Sequence, residues 1–468
     1  MQMKSILGDI RFWIFLFFIV RLFHITNPPL EVSHNWRQTT VTMPARNFFE
    51  GENNILLPKV DFAGEKTGIT GMEFPILNYL IYLVSLVFGY AHWYGRLITL
   101  VFSCFGLWYF YKLVHKYFNI SIAFKATFIL LFSVWFTYSR KIMPDTFSMS
   151  LVIAGIYYGS NYFDQKNSLK NLLLYFTLVL AGILSKLPSG YLLVVMIVFL
   201  FDKKIPILNK SLFIIISLVI MSFVSVYYFY WVPRITKEHG FDHFFMGKGI
   251  VEGMVEIFSN LNKALQKFYN AAVGYTGFIL FICALFVAIK RKEKNVLLVF
   301  GLCFFAFLVI VFKGGATFYN HTYYIVPFAP VMAFICAYGL SLIKNNKLTV
   351  VFLALIAAEC ILVSNSDFYI KEKNLAILNL EKDLDQFSKP TDLILINSGE
   401  VPTPVYFAHR KGWIEKNELI ADTAYIESLR KKKLKYIIIL KKAFGNEISL
   451  QYKQLLSNPD YTIYDIQK

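Results

Sequence analysis

A helix crosses a bilayer with about 20 predominantly apolar residues. Apolar stretches near that length recur at 10–27, 93–114, 122–139, 147–163, 171–186, 188–201, 211–232, 274–290, 295–312, 324–343 and 348–364. The pattern predicts eleven membrane-spanning helices. A further run, Ile76 to Ala91, has 16 residues, and whether it crosses sets the sidedness of everything after it. If it does not cross, Lys112, Lys116, Lys166, Lys170, Lys203, Lys204, Lys210, Lys290, Arg291, Lys292, Lys294, Lys344 and Lys347 all lie on the side of Lys4. If it does, those short-loop cations face outward, against the positive-inside rule. The run 76–91 is therefore read as a juxtamembrane helix in the outer interface.

This parity leaves three segments on the non-cytosolic side: a first loop of about 28–75, a second of about 233–273, and the tail 366–468. The predicted organisation is an all-α polytopic membrane domain over 1–365 and a small extracytoplasmic α/β domain over 366–468. Strand-like runs LILIN (393–397) and YIIIL (436–440) alternate there with charged, helix-like stretches.

Composition agrees. The chain has 468 residues, 56% apolar and only 16% charged, with a mean hydropathy of +0.52. Soluble domains carry about 25% charged residues, so soluble, disordered and small disulfide-scaffold classes are excluded. The net charge of +17 would suggest nucleic acid in a soluble protein. Here the cations cluster between apolar runs and read as topology signals, so no nucleic-acid partner is implied. Cys104, Cys283, Cys303, Cys336 and Cys360 lie inside apolar runs without metal or disulfide spacing. The abundant Lys, Asn and Ile fit a bacterial source.

Four constellations at the predicted outer edge carry ionisable groups. The first loop holds His34, Trp36, Arg37, Arg46 and Glu73, and is longer and more polar than a connector needs. SRKIMPDTF places Asp145 at a helix start, where it would also serve as an N-cap. LSKLP puts Lys186 between two apolar runs, where a lysine must snorkel or meet an anion. KGGATFYNHTYYIVPFAP offers Lys313, Tyr319, His321 and Tyr324, residues that an interfacial aromatic belt would also explain.

Arg37, Lys186 and Lys313 thus share one membrane face with Glu73 and Asp145. Cations in a partly dry site hold a phosphate-linked lipid and neutralise charge on a phosphate leaving group, while a carboxylate accepts a proton. A polyprenyl-phosphate sugar on the outer face suits that sidedness; cytosolic sugar nucleotides do not.

In order and spacing these residues resemble the GT-C superfamily of integral-membrane glycosyltransferases, in particular the family 39-like group related to protein O-mannosyltransferases and lipid A aminoarabinose transferases. The resemblance is carried by WRQ (36–38), ARNFF (45–49), LLPKVD (56–61), EFP (73–75), MPD (143–145), SKLP (185–188) and KGG…YIVPFAP (313–330), with VYFAHRKGW (405–413) in the tail. It implies a GT-C fold in the cell (inner) membrane, an extracytoplasmic active site within the cell envelope, and transfer from a polyprenyl-phosphate sugar to a lipid, protein or glycan acceptor. It implies Glu73 and Asp145 as the acids, Lys186 as the phosphate contact, and Lys313 with Tyr324 as later outer-edge contacts.

One departure stands out. The family's early acid pair in the first loop is replaced by His34-Asn35-Trp36-Arg37-Gln38. His34, Glu73 and Asp145 are then the candidate bases, Arg37, Lys186, Lys313 and Tyr324 the candidate donor-phosphate contacts, and Trp36, Arg46, Tyr319 and His321 the candidate substrate contacts. No cofactor is assigned. The chemistry admits a divalent metal, but His34 with Glu73 does not fill a coordination shell. Two rival readings are a transporter or flippase for a lipid-linked saccharide, which requires ionisable residues near mid-membrane, and a non-catalytic GT-C scaffold.

Overall fold

The computed structural model describes residues 6–164, 168–365 and 368–467. Lys4 and Lys166, two cations of the charge argument, lie outside them. The chain forms two compact units. The first comprises Met1–Ile25, Arg96–Tyr228 and Phe245–Ser366; the second comprises Thr26–Gly95, Phe229–Phe244 and Asp367–Lys468. This division differs from the 365/366 boundary read from composition, because the first loop belongs with the tail.

Among the described residues, six helical runs are long and apolar enough to cross a membrane: Tyr94–Tyr117, Ile207–His239, Gly274–Arg291, Lys294–Gly314, Thr322–Ser341 and Asn346–Asn365. The chain is an integral membrane protein. Five of these runs are only 22–39% buried, leaving apolar flanks for lipid, whereas Thr322–Ser341 is 83% buried. Other predicted spans take shorter or different forms. The runs at 122–139 and 171–186 become Ile120–Phe132 and Leu169–Ser185, and 10–27 becomes Ile10–Leu22.

The helix Pro144–Asp164 is buried along nearly its whole length. Ser148, Ser150 and Ser160 lie inside the protein, so this helix does not need the apolar surface that lipid demands. It packs tightly on Leu169–Ser185. A Cβ at Gly182 would lie 2.7 Å from Val152 Cγ2 and 3.0 Å from the Ser148 carbonyl. Small residues that let helix backbones approach closely are a common solution inside membranes.

The segment predicted as a span at 188–201 is a 3₁₀ helix over Leu187–Met196, continued by one α turn, Ile197–Phe201. Pro188 precludes continuation of the preceding helix. A 3₁₀ helix rises about 2.0 Å per residue against about 1.5 Å in an α-helix. Fifteen residues therefore reach about 27 Å, close to a bilayer's hydrocarbon thickness.

The second unit is built on a five-stranded sheet: β1 (Leu393–Ile396), β2 (Gly412–Ile414), β3 (Leu434–Leu440), β4 (Lys453–Ser457) and β5 (Tyr461–Asp465). The spatial order is β2-β1-β3-β5-β4, with β2, β1 and β3 parallel and β5 and β4 antiparallel. The continuous apolar runs of β1 and β3 are those of strands covered on both faces. Ile394, Ile396, Ile438 and Leu440 pack against Ile377, Leu380 and Val405 on one face. Leu395, Ile437 and Ile439 meet Ile420, Ile426 and Leu429 on the other.

The first loop is tied to this sheet. The Gly412 N–H donates to the Asp61 carbonyl (2.9 Å), and the Gly64 N–H donates to the Gly412 carbonyl (2.8 Å). Its leading half is a helix, Asn35–Glu50, and it leads into the 13-residue helix Ile76–Phe88, which takes up the run read as juxtamembrane. At about 1.5 Å per residue the latter spans roughly 20 Å, short of the bilayer core. It buries Leu77, Ile81 and Tyr82 and exposes Leu83, Leu86, Val87 and Phe88. The second loop is also largely helical, with Val232–His239 in this unit and Ile250–Ser259 in the first.

Candidate active site

In the first unit, Pro144 opens the helix that carries Asp145 in its first turn, where the helix dipole favours an anion. Lys186 closes the Leu169–Ser185 helix in extended conformation. Buried hydroxyls fix this terminus: Ser148 Oγ lies within hydrogen-bond distance of the Gly182 carbonyl (2.7 Å) and of Ser189 Oγ (2.6 Å), sharing its one proton between them, and Ser189 Oγ donates to the Lys186 carbonyl (2.8 Å). Lys186 Nζ then reaches Asp145 Oδ1 at 2.7 Å, with side chains 8% and 1% exposed. The ammonium also lies 4.6 Å from the Tyr323 ring centroid, a cation–π contact. His321 and Tyr324 stack on Tyr323 at 5.3 and 4.9 Å.

Arg140 and Lys141, in the turn before Pro144, are both buried. Arg140 donates to the Phe23 carbonyl, and Lys141 Nζ lies 5.7 Å from the Tyr138 ring centroid. The acid of SRKIMPD draws the eye in the sequence, and these two cations, four and five residues before it, do not.

In the second unit, His34 sits at the start of the Asn35–Glu50 helix in left-handed conformation, φ +64°. Histidine is among the residues enriched in this region. Arg37, one turn on, pairs with Glu73 Oε1, both side chains about nine-tenths buried. Gln38 Nε2 donates to Glu31 Oε2 (2.7 Å), a carboxylate only 2% exposed. His243 joins the same cluster. Its Nδ1 lies 3.1 Å from Thr70 Oγ1, and its ring meets Phe62 and Phe241. Burial, with the Arg37 guanidinium nearby, lowers its pKa to about 4, leaving a neutral imidazole at pH 7. Glu31 and His243 carry no motif and were not legible as site residues in the sequence.

The structure thus brings Asp145 to Lys186 and Arg37 to Glu73. Trp36 and His34 sit at the start of the helix that carries Arg37. Lys313 is not part of the Asp145–Lys186 cluster. Its side chain is exposed at the end of the Lys294–Gly314 helix, and its carbonyl accepts from the Lys248 N–H (2.8 Å). Tyr319 lies under the Lys263 ammonium at 5.8 Å.

Arg46, expected as a substrate contact, is buried and ties the first loop to the tail. Nη2 donates to Asp61 Oδ2 (2.8 Å), Nη1 donates to the Tyr406 carbonyl (2.8 Å), and the guanidinium lies 4.4 Å from the Tyr406 ring centroid. The reason is length: only a long, forked donor reaches both the first loop and the tail helix Thr403–Ala408. In the tail, His409 bridges Glu50 (2.9 Å) and Glu381 (2.5 Å), and Arg410 pairs with Asp385 (2.5 Å).

Among the described residues, no group of three or more His, Cys, Asp or Glu side chains is disposed to hold a metal ion.

Residues 73–231 match the family model described as dolichyl-phosphate-mannose-protein mannosyltransferase. This segment contains Glu73, Asp145 and Lys186. No curated protein matches the chain in sequence. Among solved structures, the chain is similar to ArnT from Cupriavidus metallidurans bound to undecaprenyl phosphate, at TM-score 0.60 and 12% identity, covering 97% of this chain and 98% of that one. It is also similar to the Archaeoglobus fulgidus oligosaccharyltransferase in complex with Zn and sulfate, at TM-score 0.56 and 14% identity over 86% of this chain and 63% of that one. AglB from the same organism, in complex with an inhibitory peptide and a dolichol-phosphate, gives TM-score 0.54 and 12% identity over 92% of this chain and 69% of that one. The resemblance to GT-C glycosyltransferases read from the residues is upheld, and the fold is that of ArnT.

Proposed function

We propose that the chain is a glycosyltransferase that moves a sugar from a polyprenyl-phosphate donor to an acceptor hydroxyl or amine on the non-cytosolic face of a bacterial inner membrane. The acceptor heteroatom attacks the anomeric carbon, the bond from that carbon to the phosphate oxygen breaks, and polyprenyl phosphate leaves with the electron pair. The acceptor's proton passes to a carboxylate, Asp145 in the first instance and Glu73 as the second candidate. The full reading has eleven crossings, with 76–91 lying in the outer interface.

One observation carries this: the buried Asp145–Lys186 pair on a fold shared with a protein crystallised with undecaprenyl phosphate. A carboxylate held by an ammonium is a weakened base, because the cation favours its ionised form. A donor phosphate competes for the same ammonium. As Lys186 turns to the phosphate, Asp145 gains basicity where a proton must be accepted, so donor binding switches on the base. Arg37 has the planar fork suited to a phosphate, with Glu73 holding it until the anion arrives. Lys313 and Tyr324 are proposed as outer-edge donor contacts. His34 is proposed as a positioning group, and Trp36, Tyr319 and His321 as sugar or prenyl contacts.

Binding of undecaprenyl phosphate by the detergent-solubilised protein, followed by native mass spectrometry, tests the donor site. Lys186→Gln is expected to weaken retention at least tenfold and Lys186→Arg to restore part of it. Equal retention in Lys186→Gln and the unaltered protein contradicts the assignment.

A further inference from the structure

We propose that Lys112, with Tyr109, Tyr157 and Tyr158, forms a binding site for the phosphodiester head group of an anionic glycerophospholipid. It is separate from the proposed donor site and lies toward the far end of the Pro144–Asp164 helix, whose first turn carries Asp145.

The site is built between two helices of the first unit. Tyr94–Tyr117 and Pro144–Asp164 run side by side in the same direction: Ser103 bonds to Thr146, Tyr109 to Tyr158 (Oη–Oη 2.5 Å), and Lys116 to Asn161 (2.7 Å). Two lysines one turn apart are treated differently. Lys116 Nζ has three oxygen partners, Asp164 (2.6 Å), Asn161 (2.7 Å) and Ser160 (3.1 Å), which match its three N–H donors. Lys112 makes no ion pair among the described residues; its one polar partner among them is the Tyr157 hydroxyl, to which it hydrogen-bonds. Its ammonium lies 4.4 Å from the Tyr157 ring centroid and 5.1 Å from that of Tyr109.

Ring faces hold a cation in place without neutralising it. Lys112 is therefore confined in position and half-buried, with no carboxylate paired to it among the described residues. Tyr109, Tyr157 and Tyr158 hold one another edge-on or tilted, with ring centroids 5.3–5.5 Å apart, so the wall is rigid before any ligand arrives.

Position selects the partner. The 24-residue Tyr94–Tyr117 helix is about 36 Å long against a hydrocarbon core of about 30 Å. Lys112, five residues from its end, therefore reaches head-group level by extending its side chain. A single fixed positive charge flanked by phenol hydroxyls suits a lipid phosphodiester bearing one negative charge. A zwitterionic head group brings its own cation beside Lys112 and is disfavoured. Basic pockets between membrane helices are recognised lipid head-group sites.

The test uses the full chain in detergent, titrated with phosphatidylglycerol, phosphatidylcholine or inorganic phosphate, with native mass spectrometry and thermal midpoint as readouts. Phosphatidylglycerol is expected to be retained at least threefold better than phosphatidylcholine and to raise the midpoint. Lys112→Gln is expected to abolish that difference while keeping the lipid-free midpoint, and Lys112→Arg to preserve it. No preference in the unaltered protein, an undiminished preference in Lys112→Gln, or displacement of the lipid by millimolar inorganic phosphate each overturns the proposal.

Discussion

Lys186 and Asp145 gain their significance from burial. A lysine beside a proline and an aspartate at a helix start are individually unremarkable; a pair 2.7 Å apart with side chains 8% and 1% exposed is not. Removing one partner leaves an uncompensated charge, at a cost of about 3–5 kcal/mol. Asp145→Asn in the Lys186→Gln background should therefore be more stable than either single variant, a non-additivity that a thermal double-mutant cycle reads directly. Two histidines set opposite pH limits on stability. His243 has its pKa pushed down to about 4, so the unfolded chain binds the extra proton between about pH 6.5 and 4 and native stability falls as pH drops through that window. His409 is shifted upward, chiefly by Glu50 and then against the effect of burial, so its contribution is complete below about pH 6.5 and is lost as pH rises through its raised value. Thermal midpoints measured across pH should show a shallower acid limb in His243→Gln and a shallower alkaline limb in His409→Gln. At this scale the sequence singled out Asp145, Lys186 and Glu73, each within two residues of a proline, and Arg37 by its place in a first loop more polar than a connector needs. Glu31, Arg140, Lys141 and His243 were not legible, since their roles depend on neighbours far off in the chain. The partners of Arg46 were not legible either, because nothing local announces Asp61 and Tyr406.

Helices and strands were legible where the chain contacts one kind of surroundings. Lipid-facing helices such as Lys294–Gly314 and the doubly covered strands β1 and β3 declare themselves by unbroken apolar runs. Elements with mixed surroundings did not. Leu187–Phe201 gains reach through a 3₁₀ conformation that hydropathy cannot register, and the second loop hides helices whose polar faces read as linker. The close approach of Pro144–Asp164 to Leu169–Ser185 gives a direct test at this scale. Gly182→Ala must displace Val152 and the Ser148 carbonyl. Overpacking of this kind costs about 1–3 kcal/mol. The variant should lower the thermal midpoint by several degrees and, because Ser148 also braces the Lys186 terminus, reduce turnover. An unchanged midpoint contradicts the packing account.

As a molecule, the chain combines a membrane helical unit with a second unit in which the first loop and the tail fold as one body. Composition placed a boundary at 365/366, since the apolar runs stop there; the actual tie depends on residues from both ends of the chain. Asn35 accepts a hydrogen bond from Thr403 (2.9 Å), Tyr90 meets Tyr406 (2.6 Å), and Arg46 spans Asp61 and Tyr406. Arg46→Ala strands Asp61 in a buried setting, and limited proteolysis should show the first loop cleaved well before it is in the unaltered protein. A tail removed at residue 368 is expected to have the same effect on the first loop, with loss of activity.

The central claim is that this fold transfers sugar from a polyprenyl-phosphate donor by way of its buried acids, and the most direct test is the rate of transfer of radiolabelled sugar from such a donor to membrane acceptors in proteoliposomes. The account predicts measurable transfer by the unaltered protein and a loss of at least a hundredfold in Asp145→Asn or Glu73→Gln, about 2.7 kcal/mol of barrier. Full activity in both variants contradicts it.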